Sequence, residues 1–448
     1  MRKAGRGGSV VLEIVTAIIR EKGYLCGMED SFKKTITLAD AVKMTGPAAF
    51  NIMLKPAGSL CNLDCRYCYY LDKASLYGGR EPIMSEELLE KVISDYIGSC
   101  DVPEVTFNWH GGEPLLAGID FYRKAIALER KYADGKVVHN TLQTNGTLVT
   151  PEWADLFASN GFLVGISIDG PQYVHDAYRS SKTGIPSFDK VMRGLVTLIR
   201  GGVQFNTLTA VSKASEGRGV EIYQFLKSLG SQFMQFLPVV EKVRYQVNAK
   251  GRRVDNARPS IVAPEYGGDG FGSWSVSDIG YGRFLCDIFD VWVKTDVGRY
   301  FVGMFDATLA SYCGVTPGTC SFCETCGSNA VVEHNGDVYA CDHFVYPEYL
   351  LGNVSSSSLR TMMQSDKAVS FGIAKRNSLP SQCRRCEWVH LCNGECPKHR
   401  FSKTKTGEEG LNSLCAGLQM FYKHTEPYMK KMRELLQQQH PASDIMSM

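Results

Sequence analysis

Three cysteines stand close together in the string CNLDCRYC, namely Cys61, Cys65 and Cys68, in a C-x3-C-x2-C spacing. Three thiolates hold three irons of a [4Fe-4S] cluster, and with no fourth cysteine nearby the last iron is left open as a binding position. The competing use of such thiols is a structural zinc site, which wants four ligands and C-x2-C spacing. A second set lies towards the other end of the chain: Cys326, Cys341, Cys383, Cys386, Cys392, Cys396 and Cys415. If they hold two fully ligated [4Fe-4S] clusters, eight thiolates are needed, one more than these seven. The string CGVTPGTCSFCETC offers Cys313, Cys320 and Cys323 for it. A zinc ribbon over 383–396 remains an alternative from spacing alone.

These groups need a frame. From residue 49 onwards short β-rich runs alternate with helical stretches: strands are expected at 49–56, 104–110, 137–143, 162–169, 204–211 and 232–239. Between them, SEELLEKVISDYIG opens with an N-cap serine, and PEWADLFASNG runs to a terminal glycine. Six strand-helix units in series argue for a parallel sheet with crossover helices, too few for a closed eight-stranded barrel. The expected fold is therefore α/β, a partial (β/α)6 TIM-like barrel over 46–300. A small cysteine-rich domain with a closing helix is expected over 301–448. Residues 243–280 read as a surface insertion, and Asn335-Gly336 as a type I′ hairpin turn. In such a barrel, functional residues belong just past the strand C-termini.

The first cysteine triad, with Tyr67 just before its last member, resembles the signature of the radical S-adenosylmethionine superfamily. In that family the open iron chelates the methionine moiety, and reduction yields a 5′-deoxyadenosyl radical. WHGGEP, QTNGTL and SIDGP follow at the ends of the second, third and fourth strands. The resemblance implies cofactor contacts at Tyr67, Gly112, Glu113, Ser167, Arg179 (in HDAYR) and Val240. The later cysteines match the SPASM extension of peptide-modifying radical enzymes, giving three [4Fe-4S] clusters in all. Over about residues 47 to 430 the chain is similar to the anaerobic sulfatase maturases. That likeness favours Cys320 as the eighth ligand, with Cys320, Cys326, Cys341 and Cys396 on one cluster and Cys383, Cys386, Cys392 and Cys415 on the other. It places Asp342, directly after Cys341, as catalytic base, with Tyr70 and His110 facing the peptide channel; His110 stands where some members have glutamine. The implied reaction is oxidation of a Cys or Ser in a Cys/Ser-x-Pro/Ala-x-Arg segment of a sulfatase to Cα-formylglycine. An unperturbed aspartate is a weak base for that task, and burial is expected to raise its pKa. The electron donor is expected to be a flavodoxin or ferredoxin. A different SPASM maturase, forming thioether or carbon-carbon crosslinks, is the rival; those often begin with a winged-helix domain, for which residues 1–45 are short. A non-catalytic cluster or zinc scaffold is the third reading.

Bulk properties narrow the partners. With 49 Lys and Arg against 47 Asp and Glu, the net charge of the 448-residue chain is only +2, which gives no electrostatic reason to expect nucleic acid or a membrane. Sixteen cysteines in short-spaced groups read as metal ligation in a reducing compartment, so the protein is expected in the cytoplasm. Glu13 interrupts the apolar run near the start, against a signal peptide. Residues 1–45 look detached, with Met28 a candidate initiator, and Cys26, Cys100 and Cys286 are expected to be unligated.

Overall fold

A computed structural model describes residues 50–78, 83–248, 250, 252–254, 258–262 and 267–448. The chain divides into 1–46 and 47–448. The expectations for residues 1–45, including Met28 and Cys26, lie outside the described residues.

Six parallel strands arise where the sequence places them: β1 (Asn51–Lys55), β2 (Glu104–Trp109), β3 (Val137–Thr144), β4 (Leu163–Ser167), β5 (Gln204–Val211) and β6 (Phe233–Pro238). Crossover helices α1 (Glu86–Ser99), α2 (Ile119–Tyr132), α3 (Pro151–Ser159), α4 (Phe188–Arg200) and α5 (Gly219–Ser228) join them. Local chemistry sets their ends. Ser85 accepts a hydrogen bond from the Leu88 amide at 3.2 Å and so caps α1. Pro151 starts α3, and Gly161, at φ 63°, turns the chain after it. Leu89, Val92, Ile93, Tyr96 and Ile97 form the buried stripe of α1. Trp109 on β2 packs edge-on to Phe121 and Tyr122, burying the helix layer against the sheet.

The sheet continues beyond the barrel. The insertion forms a separate small sheet, order β8-β7-β9, from β7 (Lys242–Arg244), β8 (Ser260–Ile261) and β9 (Gly270–Phe271). β10 (Phe301–Val302) pairs with β6. β11 (Asn329–Glu333) pairs in parallel with β1, setting Lys55 beside Glu333, and β12 (Asp337–Tyr339) and β13 (Leu350–Asn353) follow antiparallel. The result is one ten-stranded sheet in which β1 is interior. The cysteine-rich segment therefore shares hydrogen bonds with the barrel rather than hanging beside it.

The turn between β11 and β12 differs from expectation. Asn335 does not take the positive φ that a type I′ turn requires; only Gly336 does, at 86°, after a turn closed by the Gly336 amide on the Glu333 carbonyl. The Asn335 side chain instead accepts from the Asp337 amide at 3.1 Å, an alternative local bond open to this residue type.

Helices α6 (Asp278–Thr295), α7 (Gly303–Tyr312), α8 (Asp366–Asn377) and α9 (Cys415–Gln437) complete the fold. A Cβ on Gly282 would fall 2.5 Å from the Gly417 carbonyl oxygen, so α6 and α9 cross closely. Asp278 accepts from the Gly417 amide at 2.5 Å, holding the helix end that carries Cys415. Among the described residues no helix is long and apolar enough to cross a membrane.

Candidate active site

The loop after β1 carries Cys61, Cys65 and Cys68, and the GG pair after β2 clasps it. The Gly112 amide donates to the Gly58 carbonyl and the Glu113 amide to that of Leu60. A Cβ on Gly112 would lie 2.1 Å from the Leu60 oxygen, so the close approach is backbone to backbone. Glu113 is buried and accepts from the Leu115 amide, the Thr144 hydroxyl and the Asn145 amide at 3.1, 2.7 and 2.8 Å. Burial, only partly offset by those donors, pushes its carboxyl up to about 7. Its neighbour Asn145 also reaches the Cys61 sulfur, at 3.7 Å.

Past β4, Asp169 accepts from Tyr67 at 2.5 Å, and Arg179 donates to the same Tyr67 hydroxyl at 2.9 Å. The Arg179 Nε is buried with no protein partner. A buried orphan donor is what a cofactor carboxylate or ribose oxygen would satisfy. Ser167 accepts from Gln143 at 3.0 Å, and Val240 is buried just beyond β6. Tyr67, Glu113 and Arg179 thus converge on the triad; Ser167 and Val240 lie at the ends of β4 and β6.

A second network lies beside the first. Lys55, fully buried, sits 3.2 Å from His110 Nδ1 and 4.4 Å over the Tyr70 ring. Tyr70 is also buried, and its hydroxyl donates to Glu333. Its polar end is therefore engaged inside the protein rather than offered to a peptide. Tyr69 is the residue that reaches Asp342, donating to Oδ2 at 2.6 Å, while Cys341 approaches Oδ1 at 3.7 Å. Asp342 remains partly accessible.

The expected rise in the Asp342 pKa is reversed. Burial does push the carboxyl up, but His343, Lys55, the Tyr69 hydrogen bond and His110 together hold it well below the usual carboxylate range. Burial drives both imidazoles down to about 3.

The thiols fall into three sets of neighbours. Burial pushes Cys61 and Cys65 up to about 12, and each feels Cys68. Cys341 is raised by burial and by Asp342, Cys396 and Cys320, while Cys320 and Cys396 each feel Cys326. Cys383 and Cys386 act on Cys415, and Cys415 on Cys392. Cys323 also acts on Cys320 and Cys326, while its own sulfur donates to the Pro317 and Thr319 carbonyls of its loop; Cys313 and Cys320 are both exposed. Among the described residues no three His, Cys, Asp or Glu side chains converge tightly enough for a single ion. The donor set suits sulfurs spread over the corners of a cluster, whose iron would stabilise them as thiolates. Cys100 and Cys286 are buried away from all three sets.

Comparison with known proteins agrees with this arrangement. The Radical SAM superfamily model matches residues 56–226, and that of an iron-sulfur cluster-binding domain, SPASM, matches residues 323–387. A serine-type anaerobic sulfatase-maturating enzyme of Bacteroides thetaiotaomicron is 48% identical over 88% of this chain and 93% of its own. This chain belongs to the anaerobic sulfatase-maturating enzymes. Within that family, a cysteine-type enzyme of Clostridium perfringens is 31% identical over 84% of this chain and 96% of its own. A solved structure described as native anSMEcpe with bound AdoMet and Cp18Cys peptide is 28% identical, with a TM-score of 0.74 over 86% of this chain and 99% of that one. Streptococcus suis SuiB, 14% identical at a TM-score of 0.54 over 90% and 89%, shares the fold alone. As a radical enzyme of this family, the chain uses S-adenosylmethionine and three [4Fe-4S] clusters.

Several site residues were not visible as such in the sequence. Lys55 reads as the last residue of an ordinary strand, and only the pairing of β11 with β1 buries it. Tyr69, His343, Asp169 and Glu333 carried no spacing signal, although Asp169 lies in the SIDGP string.

Proposed function

We propose that this maturase oxidises a serine in a Cys/Ser-x-Pro/Ala-x-Arg segment of a client sulfatase to Cα-formylglycine, in the cytoplasm, with Asp342 as base. The observation that carries it is the Asp342 carboxylate, held by Tyr69 beside Cys341 and acted on by Lys55 and His110. Conversion of CH2OH to CHO removes one hydrogen atom from Cβ, one electron and the hydroxyl proton. When bound, S-adenosylmethionine supplies the hydrogen-abstracting radical and an auxiliary cluster takes the electron. A carboxylate held this low is a poor base for an intact alcohol. It accepts the proton only once the Cβ hydrogen is gone and electron loss has made the hydroxyl acidic.

Serine preference agrees with the serine-type relative at 48% identity and with His110. The Nδ1 of His110 accepts from the Gly111 amide at 2.8 Å and faces the Lys55 ammonium, so the proton of the neutral ring is on Nε2. Nε2 has no hydrogen bond to any described residue and is a donor for a substrate oxygen. Anaerobic incubation of the reconstituted, reduced enzyme with paired Ser and Cys motif peptides tests this. A loss of about 2 mass units from the serine peptide should outpace the loss of about 18 from the cysteine peptide. Unchanged serine peptide, with the cysteine form converted, would overturn the preference. Conversion of neither, alongside crosslinking of another precursor, would favour the rival maturase.

A further inference from the structure

The 243–280 insertion is built onto the triad. Arg258 donates to Asp64 at 2.6 Å and to the Cys68 carbonyl at 2.9 Å, and the Ile261 amide donates to Asp72 at 2.8 Å. Val243, Ile261 and Trp274 share a buried cluster with Leu63, Cys65 and Tyr67. This small sheet therefore forms a continuous piece with the loop that carries the triad.

Its outer end is strongly basic. Within four positions stand Lys250, Arg252 and Arg253, with Asp255 following them, in a chain whose net charge is only +2. Hydrogen bonds cross the hairpin near its tip. The Asn248 amide donates to the Arg252 carbonyl at 2.8 Å and Val254 to Gln246 at 2.9 Å, while the Asn248 side chain accepts from the Lys250 and Arg252 amides. Lys250, Arg252 and Arg253 are exposed and make no ion pair with a described residue; Arg253 lies over the Tyr245 ring at 3.4 Å. Val247, 62% exposed, stands among them. Exposed like charges gathered within four positions repel one another and gain their use from a partner of opposite sign.

We propose that this basic hairpin is the docking surface for an acidic one-electron carrier protein, which gives one electron to the cluster of Cys61, Cys65 and Cys68 and is itself oxidised by one. The inference rests on the radical reading above, which requires an external electron. Two observations select this occupant. The hairpin's root touches the backbone of a triad cysteine, so a carrier seated there is brought towards that cluster. The client segment, which carries an arginine, would meet charge of its own sign.

The test compares the intact holoenzyme with a Lys250→Glu, Arg252→Glu, Arg253→Glu variant, using a purified acidic flavodoxin as probe. Biolayer interferometry should show wild-type affinity falling with ionic strength, and the variant binding about 10-fold or more weakly with a flatter salt response. Flavodoxin-driven 5′-deoxyadenosine release should slow in step, while dithionite-driven release stays the same. The single Lys250→Glu change carries the same comparison at smaller amplitude should the triple variant fold poorly. Equal flavodoxin affinity in the two proteins would overturn the proposal, as would intact flavodoxin binding with weakened binding of the client peptide. Failure of dithionite to drive any release from the wild type would instead count against the radical reading, while the binding comparison still decides the docking.

Discussion

Asp342→Asn should lower aldehyde formation by roughly 10²- to 10⁴-fold while leaving S-adenosylmethionine cleavage near the wild-type rate. The substitution keeps the shape of the side chain and its contact with Tyr69 while removing the capacity to take a proton. The triad and its supports, Glu113, Tyr67 and Arg179, do not bond to Asp342, so the events at that end are spared. Paired chromatography of 5′-deoxyadenosine and of modified peptide checks both halves in one reaction. Equal loss of both would mean that Asp342 supports the folded site as a whole; aldehyde at the wild-type rate would mean that the base lies elsewhere.

Lys55→Met should damage both the stability of the fold and the yield of product. Lys55 is the buried cation that answers Asp342 and Glu333, and it also orients His110 and covers Tyr70. Replacing one member of a buried charge group leaves the others uncompensated, at a cost of about 3 to 5 kcal/mol. Asp342 would then protonate more readily. For Glu333 the loss is compounded, because its Oε2 already has no hydrogen-bond partner. A lower melting temperature with reduced aldehyde yield is expected from thermal denaturation and peptide assay of the holoprotein. A variant as stable and active as the wild type would show that the ammonium is not what holds this group together.

The barrel was legible because its signals are local. Alternating runs, the Ser85 cap and the glycine after α3 specify elements without reference to distant residues. The triad and the later cysteines were legible because ligand spacing is itself a pattern. What escaped was whatever depends on strands meeting across the fold. Lys55 looked like a strand end beside a loop until β11 was found alongside it, and the same pairing brings Glu333 to Tyr70. The reversed pKa of Asp342 has the same origin. Burial was foreseeable from its place after a cysteine ligand, but the nearby cation sits 287 positions earlier in the chain. The insertion had no period to read, since its short strands are ordered by contact with the triad loop rather than by their own pattern.

Hydrogen transfer from the substrate is the most direct measure of the chemistry. A serine-motif peptide carrying deuterium at Cβ, incubated anaerobically with the reduced enzyme and S-adenosylmethionine, should yield deuterated 5′-deoxyadenosine in proportion to aldehyde. Aldehyde accompanied only by unlabelled 5′-deoxyadenosine would contradict abstraction at that carbon.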